Sequence, residues 1–412
     1  MDRSTNRLKK KIEIRDFKLK SLLEITRAIN DNLDTSFLLD LYKKTLTDDL
    51  KVQKILLFTE ENAWTCIFKH GVTGEVKDIT SEKFFNQTDR VSINLQSDSP
   101  SESFDIIIPV FHDEKPIAYL MLGDREDIIG VSPAIKHMNF IQTITNIILV
   151  AIKNKKLVVE NLRQEVMKRE LKLAADMQAM LVPSKLPKNE LYEVSAVYLP
   201  HQQVGGDYYD FMKLNDEEVM FCMADVSGKG VAAAFLMSNF QAYLRAIFTY
   251  TYGTKKSLTD IIRELNARVM ESAMGEKYIT FFMAIYNTKT RVLNYINAGH
   301  NPPILVNFDT KTSQLLKLGG IGLGMFEEIP SVNQGTVIVK PNSMVVCFTD
   351  GIVELENEQL EELGNERLVD IIFEYKDLTI EEFNNMIMNE ATLHKGTMPY
   401  IDDIALLSCR IF

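Results

Sequence analysis

Cysteine, tryptophan and histidine are scarce in this 412-residue chain, at four, one and six residues. Cys66, Cys222, Cys347 and Cys409 lie far apart and form no CxxC pair, which excludes a dense disulfide framework and fits a reducing compartment. Positive charge is in deficit too. Lys and Arg number 46 against 57 Asp and Glu, a formal net charge of −11. That argues against a general binder of nucleic acid or anionic membranes, whose affinity comes from cationic side chains on phosphates. No basic segment with an apolar run and a small-residue cleavage site opens the chain. The most apolar stretch, Phe140 to Ile152, contains Gln142, Thr143, Thr145 and Asn146 and is shorter than the ~20 residues that span a bilayer, so the expectation is a cytoplasmic protein without a membrane span. Apolar residues make up 46%, and the length suits two or three domains of ~150 residues.

The first thirty residues lack Gly and Pro and place Leu8, Ile12, Leu19, Leu22 and Ile29 on one stripe, which predicts a helix. Its basic residues (Arg3, Arg7, Lys9, Lys10, Lys11) read as a solvated face, because nothing aromatic interleaves them. Residues 31–155 predict a small α/β domain. It has a helix over Ser36–Leu50, strands at Lys54–Phe58 and Trp64–Phe68, a hairpin of Ile106–Val110 and Ile117–Leu122 about a turn at 112–116, and a closing helix Pro133–Lys155. Trp64 belongs to its core. Ile148, Ile152, Val159, Leu162, Val166 and Leu173 then occupy heptad a and d positions, interrupted by Lys155 and Arg169. That is the spacing of a two-helix supercoil and so of a homodimer, with a monomeric connector helix as the alternative. Met177, Met180 and Leu181 continue as a stripe suited to docking on a globular domain, and Pro183 and Pro187 end this linker helix, residues 156–187. From residue 188 onward, strand patterns run from Val194–Tyr198 through Tyr208–Lys213 and Glu218–Asp225 to Ile404–Ile411. Two helices interrupt them, Gly230–Phe248 and Leu258–Met274, the second capped by Ser257 or Thr259. The fold class is α+β, a sandwich preceded by the smaller domain and the linker.

Four segments place aspartates at strand ends or tight turns: Val204–Asp207, Met223–Gly230, Val346–Gly351 and Asp402–Asp403. A buried carboxylate needs a partner, and no matching set of Lys or Arg accompanies these. A shared cation satisfies them all. Oxygen-only ligands select a hard ion, Mg²⁺ or Mn²⁺, and the absence of a His/Cys cluster argues against zinc.

In order, VGGDYYDF, ADVSGKGVAAAFLMS, NAGHNPP, FTDGIVE and DDIALL resemble the SpoIIE/RsbU-like branch of metal-dependent serine phosphatases (PPM, type 2C), over about Leu191 to Phe412. ELKLAADMQAMLVPSKLP resembles the segment that leads into such domains. IIIPVFHDEKPIAYLMLGD, with its flanking helices, resembles a GAF sensor domain. The resemblance implies an α-β-β-α sandwich over residues 188–412 with two Mn²⁺ or Mg²⁺ ions at one edge. Asp207 and Asp225 would bind them, with the backbone carbonyl of Val226. Asp350 would hold the second position and Asp402 would complete the first, while Gly206, Gly228 and Gly351 shape the turns. Asp403 stands where eukaryotic relatives often carry Asn, which leaves open whether it is a direct ligand. The implied reaction is hydrolysis of a phosphoserine or phosphothreonine on a protein by a water activated between the ions, without a phosphoenzyme. The implied substrate is an anti-anti-sigma factor or similar STAS-domain regulator.

Two features depart from the eukaryotic pattern: Gln202 stands where those enzymes carry a phosphate-binding Arg, and Val226-Ser227-Gly228 replaces a histidine acid. His300 reads as a turn-stabilising residue. Lys229 lacks the spacing of a phosphate loop, since Met223 stands where its first Gly belongs. Gly205–Tyr209 lacks the Glu of a cyclase signature, and Gly320, Gly322 and Gly324 lack the context of a dinucleotide site. A different class of function remains as the alternative: a catalytically silent dimeric sensor that binds a phosphoprotein without hydrolysing it.

Overall fold

The computed structural model describes residues 2–60, 63–72, 92–95, 104–112, 115–123, 132–250, 257–273 and 275–412. Asp113 and Glu114 of the expected hairpin turn lie outside them. The chain divides into two compact units, Met1–Gln164 and Glu165–Phe412.

In the first unit a five-stranded antiparallel sheet has the order β2-β1-β5-β4-β3, from β1 (Lys54–Glu60), β2 (Trp64–His70), β3 (Ser92–Leu95), β4 (Phe104–His112) and β5 (Lys115–Gly123). Successive residues of β1 face opposite sides. Ile55 and Leu57 turn to the larger core, which also takes Ile25 of helix α1 (Asp2–Asn30), Tyr42 of α2 (Thr35–Lys44), and Ile141, Ile144 and Ile148 of α3 (Pro133–Ala179). Leu56 and Phe58 turn the other way, to Tyr119 and Trp64. A buried hydrogen bond between the Tyr42 hydroxyl and Thr145 Oγ1 (2.6 Å) pins α2 to α3.

Helix α3 is continuous over 47 residues, so the expected closing helix and linker are one element. This corrects the heptad reading in part. Ile148 is buried in the first unit's own core and Ile152 packs against it, so the free apolar seam starts later. Val159 is 67% and Leu173 64% exposed, with Leu162 and Val166 exposed between them. Lys155, an interruption in the heptads, donates instead to the carbonyls of Asn32 and Leu33 in the loop that follows α1.

The second unit is a four-layer α-β-β-α sandwich. One sheet has the order β13-β10-β9-β8-β7, with β14 also on β10: β7 is Tyr208–Lys213, β8 Glu218–Val226, β9 Ile279–Asn287, β10 Val292–Ala298, β13 Gly319–Gly320 and β14 Gly335–Ile338. The other has the order β12-β11-β15-β16-β6: β6 is Tyr192–Leu199, β11 Ile304–Asn307, β12 Thr312–Leu315, β15 Ser343–Phe348 and β16 Ile404–Ile411. Phe221, Met223 and Phe282 of the first sheet meet Val345, Cys347, Leu407 and Cys409 of the second between the layers. Helices α4 (Val231–Tyr250) and α5 (Leu258–Ala273) cover the first sheet's outer face through Leu236, Phe240 and Leu265. After the short helix α6 (Asp350–Val353), α7 (Gly364–Glu374) and α8 (Ile380–Lys395) cover the other through Ile371, Phe383 and Ile387. The sequence patterns indicated only α4 and α5. By length and composition α3 and α4 could each cross a membrane, yet α4 spends its apolar face on this core and α3 puts Ile141, Ile144 and Ile148 into the other.

One acidic residue of the VGGDYYDF segment is structural. Asp210 is fully buried; Arg245 of α4 donates to both its oxygens (2.8 and 2.9 Å), and the Tyr208 hydroxyl adds a third bond (2.5 Å). Removing the guanidinium strands a buried carboxylate, so Arg245→Ala is expected to destabilise the second unit by about 2–4 kcal/mol, and Arg245→Lys by less. Urea unfolding followed by circular dichroism checks this, and equal stability of the two variants overturns it.

Candidate metal and active centre

Strand register brings the aspartates together. Tyr208 of β7 pairs with Ala224 of β8, so Asp207, one residue earlier, stands opposite Asp225 at the ladder's end. In the second sheet Asp350 follows β15 and Asp402 precedes β16, strands that pair through Phe348 and Leu406. The two sheets present these ends at one edge of the sandwich. Thr349 ties them together: its hydroxyl donates to Asp207 Oδ2 (2.8 Å) and accepts from the Ala405 amide (2.9 Å).

The carboxylates are crowded. Burial, then Asp225, holds the Asp207 carboxyl well above its ordinary range; Thr349 opposes this, and Asp403 and Asp350 add to it. Burial, then Asp350 and Asp402, pushes Asp225 up to about 7, while a hydrogen bond from Asp207 pulls the other way. Asp350 is raised by burial and by Asp402, against Lys229. Two adjacent buried carboxyls disfavour each other's charge when no other cation is present.

Asp403 does different work. Its Oδ1 accepts from the His201 amide (2.7 Å) and its Oδ2 from the Gly206 amide (2.6 Å), so each oxygen helps to hold residues 201–206. Gly351 lies so close that a Cβ there would come 2.2 Å from the Asp403 carbonyl oxygen, which requires glycine. The Val226 carbonyl closes the other side, 3.0 Å from where a Cβ on Gly206 would stand.

The set fits a hard divalent cation by its chemistry: carboxylates and one carbonyl, all oxygen, with repulsion that a cation relieves. The Tyr198 hydroxyl, also buried at this edge, has no hydrogen-bond partner among the described residues. Among those residues no three His, Cys, Asp or Glu side chains already close on one point, so the fit is one of donor type and charge, not of a finished cage.

Sequence patterns missed several contributors. Gln178 of α3 is buried and takes both backbone groups of Gly205, donating to its carbonyl (2.7 Å) and accepting from its amide (3.1 Å), two residues before Asp207. It is Gln178 that docks here, with Leu181 and Val182 packed on the core; Met177 and Met180, expected to dock, are 71% and 80% exposed. His300 is buried beside the centre. Its backbone amide makes the turn bond to Asn297 Oδ1 (2.8 Å), whereas its ring Nδ1 meets Thr280 Oγ1 (2.9 Å) on the residue paired with Asp225. Burial depresses its pKa to about 4, so the ring is neutral near pH 7.

Comparison with known proteins agrees with this architecture. Residues 215–412 match the family described as Stage II sporulation protein E (SpoIIE). Phosphoserine phosphatase RsbU of Bacillus subtilis is 30% identical over 195 residues, covering 47% of this chain and 56% of that protein. Protein IcfG of Synechocystis sp. is 25% identical over 312 residues, covering 69% of this chain and 46% of the relative. The SiaA-PP2C domain of Pseudomonas aeruginosa superposes with a TM-score of 0.53 at 20% identity, covering 61% of this chain and 99% of that one, a likeness of fold. The chain thus spans about half the length of the curated relatives it matches. Its C-terminal part matches the SpoIIE family model over residues 215–412, is similar in sequence to RsbU and IcfG, and has a fold like that of the SiaA-PP2C domain.

The raised carboxyls carry a linkage consequence. A group whose pKa is raised on folding contributes stability below its unfolded value, near 3.8, and loses it as pH climbs toward the folded value, about 7 for Asp225. Metal-free protein is therefore expected to melt at a lower temperature at pH 8 than at pH 5.5, with Asp225→Asn flattening the difference. Added Mn²⁺ should raise the melting temperature more at pH 8. Differential scanning fluorimetry with chelator or Mn²⁺ reads this, and identical slopes for wild type and variant count against the crowding.

Proposed function

We propose that the protein is a cytoplasmic, metal-dependent phosphatase that removes phosphate from serine or threonine on a regulatory protein. The observation that carries this reading is the meeting of Asp207, Asp225, Asp350 and Asp402 with the Val226 carbonyl at the edge of a SpoIIE-type sandwich. Residues 188–412 act as the catalytic domain, residues 31–155 as a GAF-like sensor, and residues 156–187 as the helical linker of a homodimer. A STAS-domain anti-anti-sigma factor is the proposed substrate, in line with the RsbU-like motifs.

Asp207, Asp225, the Val226 carbonyl, Asp350 and Asp402 would hold two Mn²⁺ or Mg²⁺ ions. When bound, these supply Lewis-acid activation of water and neutralise charge on the phosphoryl oxygens. The protein's own groups prepare the site. Thr349 fixes one Asp207 oxygen, and Asp403 holds the loop behind it through two amides. Control would enter through Gln178, whose grip on Gly205 couples the linker helix to the loop carrying Asp207.

The deciding experiment is Mn²⁺-dependent phosphate release from a phosphoserine STAS protein by the full chain, by residues 185–412 alone, and by Asp225→Asn and Asp350→Ala. Each substitution is expected to cost more than ~100-fold in kcat/KM. Binding of the phosphoprotein without hydrolysis by the wild type would establish the silent sensor instead.

Inserting four residues after Arg163 advances the helix by about 40° beyond a full turn and breaks the heptad register. It is expected to change basal activity in the full chain. Unchanged activity, basal and stimulated, rules out control through the linker.

A further inference from the structure

Lys229 sits in Ser227-Gly228-Lys229-Gly230, between two glycines in the left-handed region (φ 82° and 75°). Side chains rarely adopt that conformation, so the glycines fix a turn that carries the lysine to the acidic edge. The loop is anchored at its base: Lys277 donates to the Ser227 carbonyl (2.8 Å), and the Tyr278 amide donates to Ser227 Oγ (2.9 Å). The Lys229 ammonium lies 2.8 Å from Asp402 Oδ2 and also contacts the Ile401 carbonyl.

This pair does little for the fold. The two side chains are 41% and 38% exposed, and ion pairs of that exposure contribute marginally to stability. It holds, however, a carboxylate that the proposed metal centre needs. A divalent cation at Asp402 and an ammonium 2.8 Å from the same carboxylate repel one another, so the two compete for it. Gln202 borders the same loop, with its Oε1 3.1 Å from where a Cβ on Gly230 would stand. The uncharged residue at the position expected to bind phosphate thus abuts the segment that carries Lys229. An ammonium on a flexible stem is a competent phosphate ligand.

We propose that Lys229 has two alternative partners: it neutralises Asp402 while the centre holds no divalent cation, and it binds the phosphoryl oxygens of the substrate once a cation takes that carboxylate. This deepens the phosphatase reading and rests on it. Lys229 would be both a stand-in counter-ion and the substrate-binding cation that Gln202 does not provide.

The test uses the full chain and two substitutions, Lys229→Met and Lys229→Arg, both at a half-exposed loop position. Calorimetric titration with Mn²⁺ alone is expected to show binding about two- to fivefold tighter in Lys229→Met, because Asp402 is free of its ammonium. Orthophosphate titrated into Mg²⁺-saturated protein is expected to bind at least ~10-fold more weakly to Lys229→Met, with Lys229→Arg keeping most of the affinity. With phosphoprotein, KM should rise more than kcat falls. Unchanged or weaker Mn²⁺ binding overturns the proposal, as does unchanged orthophosphate affinity. Both titrations remain readable if the wild type releases no phosphate, an outcome that sinks the phosphatase reading separately.

Discussion

Repulsion among carboxylates at one sandwich edge is the constraint on which the C-terminal unit turns. Asp207 and Asp225 are brought face to face by the register of β7 and β8, and Asp350 and Asp402 by the ends of β15 and β16. Moving Asp225 away from Asp207 would mean slipping β8 against β7 and losing the register that buries its inward face, so the fold does not relax the crowding. Protons and Lys229 relieve it in part, at the cost of carboxyls held far from their ordinary acidity. A site that is poorly satisfied by its own chain, in a fold otherwise well packed, is characteristic of one that takes a ligand.

Asp210 makes the contrast clear. It is three residues from Asp207, in the same motif and just as buried, yet its carboxylate is met by Arg245, the Tyr208 hydroxyl and the Phe211 amide. Burial alone therefore does not mark a functional acid here; the lack of a dedicated cation does. Asp403 is a third case, an acid that holds two backbone amides, one on each oxygen, and so positions the loop that leads to Asp207.

Much of this was legible in the sequence. β7 and β16 begin and end where alternation and turn residues place them, and the motif aspartates fall at strand ends. The helices α7 and α8 were not found, although Thr379 and Glu382 form a capping box that advertises the start of α8. The role of Asp403 was out of reach, because its partners are backbone amides about two hundred residues away that no pattern encodes. Ile148 and Ile152 were assigned to the heptad seam because periods of 3.5 and 3.6 stay in phase over a few turns; only packing separates a supercoil face from a core face. Gln178 was hidden for a related reason: an amide amid exposed methionines looks like solvent-facing surface until its backbone partner is seen.

Helix α3 passes through three environments, and their order explains how a signal would travel under the proposed function. Ile141, Ile144 and Ile148 are fixed in the first unit's core, Val159 to Leu173 carry an exposed apolar seam, and Gln178, Leu181 and Val182 engage the second unit. Apolar contacts at the ends tolerate small rotations, since they are non-directional. The bidentate amide clamp on Gly205 does not, because hydrogen bonds weaken steeply away from linearity. A change in how the exposed seam is covered would thus bear on the Gln178 clamp, which lies two residues from Asp207. Under the proposed function, regulation would need no second machinery in the catalytic centre, since a shift of the loop between Gln178 and Asp403 would change how Asp207 faces the other carboxylates.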